Sequence, residues 1–93
     1  MEIDGFEWDD NKAAEVLAAR GIAFSVACRV YDDADHLDLP DGTRHEYRWK
    51  VVGRVDSQLL TVVFAEGGDG RDRIVTAWYA NTVETNAYSQ QFA

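Results

Sequence analysis

The chain of 93 residues is too short for two domains, because chains divide only well beyond this length and a domain of this size already buries roughly 60–70% of its unfolded surface. Hydrophobic residues make up 46% and charged residues 28%, a globular balance too apolar for a disordered tail. Nine Lys and Arg against seventeen Asp and Glu leave a formal net charge of −8, which opposes sequence-independent nucleic-acid binding, since that runs on neutralised phosphates.

The charge is uneven. Residues 1–43 hold eleven acids and three bases, residues 44–73 five acids and six bases, and residues 74–93 a single acid. The basic groups therefore sit in the middle third, where a local basic face can hold an anion, and the acidic remainder suits a basic protein partner. The one cysteine, Cys28, excludes an internal disulfide and every zinc pattern built on paired Cys or His, and it fits a reducing, cytoplasmic setting. The opening Met-Glu-Ile-Asp-Gly has no basic and apolar leader, and no stretch nears the roughly eighteen apolar residues of a membrane span. The expectation is a soluble, unprocessed protein that needs no metal or cofactor.

Glu2 to Phe6 alternate acid and apolar and predict a short edge strand, with Trp8 and Asp9 as a hydrophobic lead-in and an N-cap. Ala13, Val16 and Leu17 fall three and four apart and predict a helix from Asp10 to Arg20, stopped by Gly21 in a left-handed conformation. Phe24, Ala27, Cys28 and Tyr31 repeat that spacing and predict a second short helix. Asp32 to Gly42, with five aspartates and the only proline, Pro40, reads as a solvated crossing with a brief strand from Leu37 to Leu39.

From Glu46 the alternation is clear: Tyr47, Trp49 and Val51 point one way, Glu46, Arg48 and Lys50 the other, as in a half-buried strand. Val55-Asp56-Ser57-Gln58 makes a hairpin turn, and the β-branched run Leu59 to Ala65 suits a central strand buried on both faces. After a turn at Gly67-Gly68-Asp69-Gly70, Arg73 to Ala80 alternates again, with Arg73, Val75, Ala77 and Tyr79 on one side and Ile74, Thr76 and Trp78 on the other. Asn81 and Glu84 form a cap and capping partner for a last helix through Tyr88 and Gln90. Strand, helix, helix, antiparallel meander and terminal helix make one α+β domain over residues 1–93, a sheet of about four strands beneath the two N-terminal helices. Tyr47, Trp49, Leu60, Val62, Phe64 and Ile74 are expected to face that core.

No Ser-His-Asp set or metal-spaced cluster is recognisable. Gly67, Gly68 and Gly70 precede no Lys-Ser/Thr pair and read as a hairpin, not a phosphate cradle. His36 and His45 lie in polar surroundings and read as solvent-exposed. The more informative set is Glu46, Arg48, Lys50, Arg73 and Glu84. Arg48 and Lys50 share a strand face, and an Arg73 strand in the same sheet would complete a cationic patch. Such a patch is what metal-free RNA cleavage requires: a cation for the phosphorane charge, a base for the 2′-OH proton and an acid for the leaving 5′ oxygen. Glu46 or Glu84 could be the base, and an Arg, His45 or Tyr88 could serve on the acid or binding side. A solvated sheet face of mixed charge is the alternative.

Several short segments, in order and at their spacing, resemble the BrnT family of bacterial type II toxins, ribonucleases of the RelE-like fold class. They are Phe6-Glu7-Trp8-Asp9 with Lys12, Gly21-Ile22-Ala23-Phe24 with Ala27 and Val30, Glu46-Tyr47-Arg48-Trp49, and Gly53-Arg54-Val55-Asp56. Leu60 to Phe64, Arg73 to Ala77, Glu84 and Tyr88 complete the pattern. The resemblance implies a toxin that cuts RNA and is neutralised by a BrnA-like ribbon-helix-helix antitoxin, with the DNA binding left to that partner. In those terms Arg48, Arg73, Glu46 and Glu84 are catalytic, and Lys50 and Tyr88 contact substrate. The family commonly continues Ser-Ala-Arg plus a second basic residue where this chain has Thr76-Ala77-Trp78-Tyr79. The expectation is an endoribonuclease weakened by lost cations, or a non-catalytic module that binds its antitoxin through Trp78 and Tyr79. Trp78 could equally be a core residue.

Overall fold

The computed structural model describes residues 2–41 and 47–93; His45 and Glu46 lie outside them. Its strands are β1 (Glu2–Ile3), β2 (Phe6–Trp8), β3 (Leu37–Pro40), β4 (Arg48–Val55), β5 (Gln58–Glu66) and β6 (Asp72–Tyr79). They form one sheet in the order β1-β2-β6-β5-β4-β3. The meander from β3 to β6 is antiparallel, whereas β2 lies parallel to β6, Glu7 opposite Arg73 and Trp8 opposite Ile74. The sheet is thus mixed and has, among the described residues, six strands, five of them three residues or longer, where about four antiparallel ones were expected. The expected N-terminal strand is a hairpin: Asp4 and Gly5 carry φ of 45° and 91°, the left-handed pair that a two-residue turn demands.

Helix α1 (Asp10–Arg20) begins where the Asp9 carboxylate accepts the Asn11 N–H at 3.1 Å, and it ends at Gly21, φ 73°, whose N–H reaches the Leu17 carbonyl. It lies against β6, so its apolar stripe is narrow. Val16 is buried and Ala13 half-buried, but Leu17, expected to join them, is 51% exposed. Its last residue, Arg20, donates to the Ala77 carbonyl and the Thr76 hydroxyl, both at 3.2 Å, on the stretch of β6 that β2 leaves uncovered. The second helix is α2 (Phe24–Ala27), which tightens into a 3₁₀ turn over Cys28–Asp32.

Val16, Phe24, Ala27 and Val30 pack with Val51, Val55, Leu60, Val62, Phe64, Ile74 and Ala77 as one core, each stabilised by about 1.5–3 kcal/mol for a large side chain fully removed from water. Trp49 joins them and donates its indole N–H to the Tyr31 hydroxyl at 2.9 Å. Gly53 lets β4 pass under Val30: a Cβ there would stand 2.7 Å from the Val30 carbonyl oxygen. Tyr47 precedes the strand instead of opening it and is 64% exposed, contrary to its expected place in the core. The opposite sheet face is covered at one end by α3 (Thr82–Ser89), which starts with a full capping box between Asn81 and Glu84.

The alternation in β6 also departs from expectation. A register shift at Val63/Phe64 sets Phe64 opposite Ile74 but Val63 opposite Thr76, so Val75 is the extra residue of a bulge. Ile74 and Ala77 therefore both reach the helix-covered core, although strict alternation would separate them.

Candidate functional site

Register decides which polar side chains meet. Arg48 of β4 is opposite Ala65 of β5, and Ala65 is opposite Arg73 of β6. The two arginines therefore flank one methyl group on a common face, about 10 Å apart at Cα by the strand spacing. Because β2 runs alongside β6 and hands the chain to α1 at Asp9, the helix N-terminus opens at the same place. The result is a shallow cavity of about 220 Å³ lined by Asp9, Lys12, Arg48, Ala65, Arg73, Ile74 and Val75. Three cations against one lining carboxylate, beside the positive end of a helix dipole, make a site for an anion.

The cations differ in their company. Arg73 donates to Glu7 at 3.1 Å, and Lys12 stands 4.0 Å from Glu15. Among the described residues Arg48 has no hydrogen-bond or ion-pair partner. Among the described residues, too, no three His, Cys, Asp or Glu side chains gather as metal ligands, and no helix is long and apolar enough to cross a membrane.

Glu84 faces the same side of the sheet but is already spoken for. It is 3% exposed and its two oxygens accept from the Trp78 indole and Thr61 hydroxyl at 2.9 Å, the Asn81 N–H at 3.0 Å and Lys50 at 3.3 Å. Burial pushes its carboxyl upward, yet the hydrogen bonds from Asn81, Trp78, Thr61 and Lys50 together hold it below the usual carboxylate range. Lys50, two residues from Arg48 on the same face, is tied up in this network.

Tyr88 is at the far end of β4. Its hydroxyl donates to Asp33 at 2.7 Å and its ring lies 5.9 Å from the Arg54 guanidinium, with five residues of strand between Arg54 and Arg48. The hydrogen bond to Asp33 raises the phenol's pKa, and the buried ring is fastened away from the arginine row. Trp78 and Tyr79 point to opposite faces. Trp78 is half-buried above Glu84, while Tyr79 is 50% exposed beside an apolar groove of about 170 Å³ that Ile22, Val26, Val55 and Leu60 also line.

The expected set thus divides: Arg48 and Arg73 come together, Lys50 and Glu84 bind each other, Tyr88 stands apart, and Glu46 lies outside the described residues. Sequence reasoning did not single out Asp9, Lys12 and Glu7 for the site. The local signals were the N-cap at Asp9 and the Phe6-Glu7-Trp8-Asp9 and Lys12 segment of the family resemblance; what brings these residues to Arg73 is the parallel pairing of β2 with β6.

Comparison with curated proteins gives no match. The 1.1 Å crystal structure of the Brucella abortus ribonuclease toxin, BrnT, is similar, with a TM-score of 0.63 at 17% identity over 81% of this chain and 94% of that one; at that identity the likeness speaks for the fold. The profile of the family described as the ribonuclease toxin, BrnT, of type II toxin-antitoxin systems matches residues 8–84. That span holds α1, both halves of the arginine row and the Glu84 cap, so the chain belongs to the BrnT family of ribonuclease toxins.

Proposed function

We propose that the chain is one toxin domain acting as a metal-independent endoribonuclease, and that the cavity between Arg48 and Arg73 takes the scissile phosphate. The observation that carries this is the Arg48-Ala65-Arg73 row with Lys12 at its rim. Cations on two sides of a phosphate stabilise the extra negative charge that develops as the 2′ oxygen attacks phosphorus and the 5′ oxygen leaves. The base that removes the 2′ proton is Asp9, which lines the cavity, or Glu46, two residues before Arg48. Glu84 has a structural role in this reading, because a carboxylate receiving four hydrogen bonds is a poor proton acceptor. Lys50 and Tyr88 support the fold in the same way, through Glu84 and Asp33.

Activity is weakened in this reading. Trp78 shares the face of Arg48 and Lys50 where the family resemblance calls for a cation, so that face carries one charge fewer. A toxin of a type II system is paired with an antitoxin; the net charge of −8 favours a basic one, and a BrnA-like ribbon-helix-helix protein fits. DNA contact then belongs to the antitoxin. A second reading, a non-catalytic module that only binds the antitoxin, draws on the exposed Tyr79 at its apolar groove.

The experiment is induced expression alone and with the antitoxin gene, scored for growth and RNA integrity, alongside cleavage by purified protein with and without EDTA. Arg48→Ala and Arg73→Ala should each abolish cleavage without altering the fold. Cleavage lost on chelation would refute the metal-free mechanism, and intact RNA at every protein concentration would favour the second reading.

A further inference from the structure

Glu7 has no part in the roles assigned above, yet it is the most firmly held carboxylate near the cavity. It is the register partner of Arg73 across β2 and β6. Its Oε2 accepts from Arg73 Nη1 at 3.1 Å and its Oε1 from the Gly68 N–H at 2.7 Å. The β5–β6 turn is shaped around it: a Cβ on Gly67 would stand 2.5 Å from that Oε1 and 2.7 Å from the Arg71 carbonyl oxygen. The carboxylate fills the space a side chain would need. With 23% of its side chain exposed against 45% for Arg73, the acid is the anchor and the guanidinium the freer member.

No other cation of the cavity is held this way. Lys12 and Glu15 face each other at 4.0 Å with 44% and 71% of their side chains exposed, which is a loose surface pair.

We propose that Glu7, on the opposite side of Arg73 from Ala65, is a positioning residue that fixes the Arg73 guanidinium at the β2 side of the cavity, so that an RNA phosphate seated over Ala65 is met by Arg73 from one side and Arg48 from the other. This rests on the cavity being the phosphate site. A guanidinium has five donors in a rigid fork, so the one given to Glu7 leaves others for the phosphate, and an arginine ordered beforehand gives up less freedom on binding. Against this, the carboxylate lowers the positive potential. At a half-exposed pair that Coulombic loss is screened by water and salt, while the directional hold is not, so positioning prevails.

The test is binding of a short fluorescein-labelled RNA, made uncleavable by 2′-O-methyl groups, followed by anisotropy on the full chain together with thermal melting. Glu7→Gln keeps the acceptor for Gly68 and should weaken binding roughly threefold to tenfold with melting little changed. Arg73→Ala should weaken it further, since Glu7 then faces the phosphate unopposed. Adding Glu7→Gln to Arg73→Ala should therefore strengthen binding, a reversal of sign that a merely structural carboxylate would not produce. If Glu7→Gln melts early, Glu7→Asp serves instead: it keeps the charge, loses the reach to Arg73, and should weaken binding to a similar degree. Tighter binding by Glu7→Gln in the unmodified background would overturn the inference, as would equal weakening in both backgrounds. If Arg73→Ala changes nothing, the phosphate site itself is refuted and the inference falls with it.

Discussion

The Tyr88 hydroxyl donates to Asp33 at 2.7 Å across 55 positions of sequence, and this bond fastens α3 to the loop before β3. Asp33 also accepts from the Arg54 and Asp35 N–H groups. Burial opposes its ionisation, but the bonds from Tyr88, Arg54 and Asp35 hold its carboxyl below the usual range. Tyr88→Phe should cost about 1–2 kcal/mol, the penalty for leaving one acceptor short of a donor. Cleavage per folded molecule should be unchanged, since the cavity is at the other end of β4. Denaturant melts with activity assays check both, and a lost activity at full stability would return Tyr88 to the site.

Glu84 makes stability depend on acid. Its folded-state carboxyl titrates below the unfolded value of about 4.3, so the ionised form stabilises the fold above that value, and the contribution is lost as pH falls through it toward the lowered one. Glu84→Gln should cost about 2–4 kcal/mol at neutral pH, because it breaks a buried network that includes Lys50. Its melting temperature should also vary less with acid than the parent's below about pH 5. Parallel melting curves across that range would show that Glu84 does not carry this dependence.

Two core substitutions probe the helix-covered face. Phe64 is fully buried, and Phe64→Ala should cost about 3–5 kcal/mol through lost contact and the cavity left behind. Gly53→Ala fails by the opposite mechanism: the new methyl group meets the Val30 backbone, which cannot swing aside, for a cost of about 1–3 kcal/mol. Chemical denaturation measures each. A Gly53→Ala protein as stable as its parent would mean that the 3₁₀ turn is free to move away from β4.

Trp78 and Tyr79 should respond differently to the same replacement. An arginine at position 78 can keep a donor on Glu84 and adds charge to the face of Arg48, so Trp78→Arg should raise RNA cleavage about tenfold or more, the scale of one well-placed donor. Tyr79→Arg adds its charge on the other face and should leave cleavage unchanged. Equal gains from the two would mean that net charge matters and placement does not.

Much of this was legible because it depended on short periods. The alternation of Arg48, Trp49, Lys50 and Val51 predicts both the core and the cationic face, and the Asp9 and Asn81 caps mark α1 and α3 to the residue. The illegible parts are non-local. A three-residue strand such as β2 has too few positions to display a period, and its parallel partner comes more than sixty residues later, so the neighbourhood of Glu7, Asp9 and Lys12 with Arg73 could not be read. The bulge at Val75 breaks a two-residue period from within. The Asn81–Glu84 cap is legible in the sequence, but the burial of Glu84 and Tyr88 and their bonds to Trp78, Thr61, Lys50 and Asp33 depend on where α3 docks.

Arg20 has a consequence for how copies of this chain behave in a crowded solution. At the far end of the sheet the outer strand β3 is blunted by Asp38 and Pro40. From Val75 to Tyr79, β6 has neither a charge nor a proline and, among the described residues, no neighbouring strand on its β2 side, the kind of edge on which chains can pair. The guanidinium of Arg20 occupies the Ala77 carbonyl, which an incoming strand would need as an acceptor. One side chain at the end of a helix thereby denies an incoming strand one of the acceptors it would need on this edge.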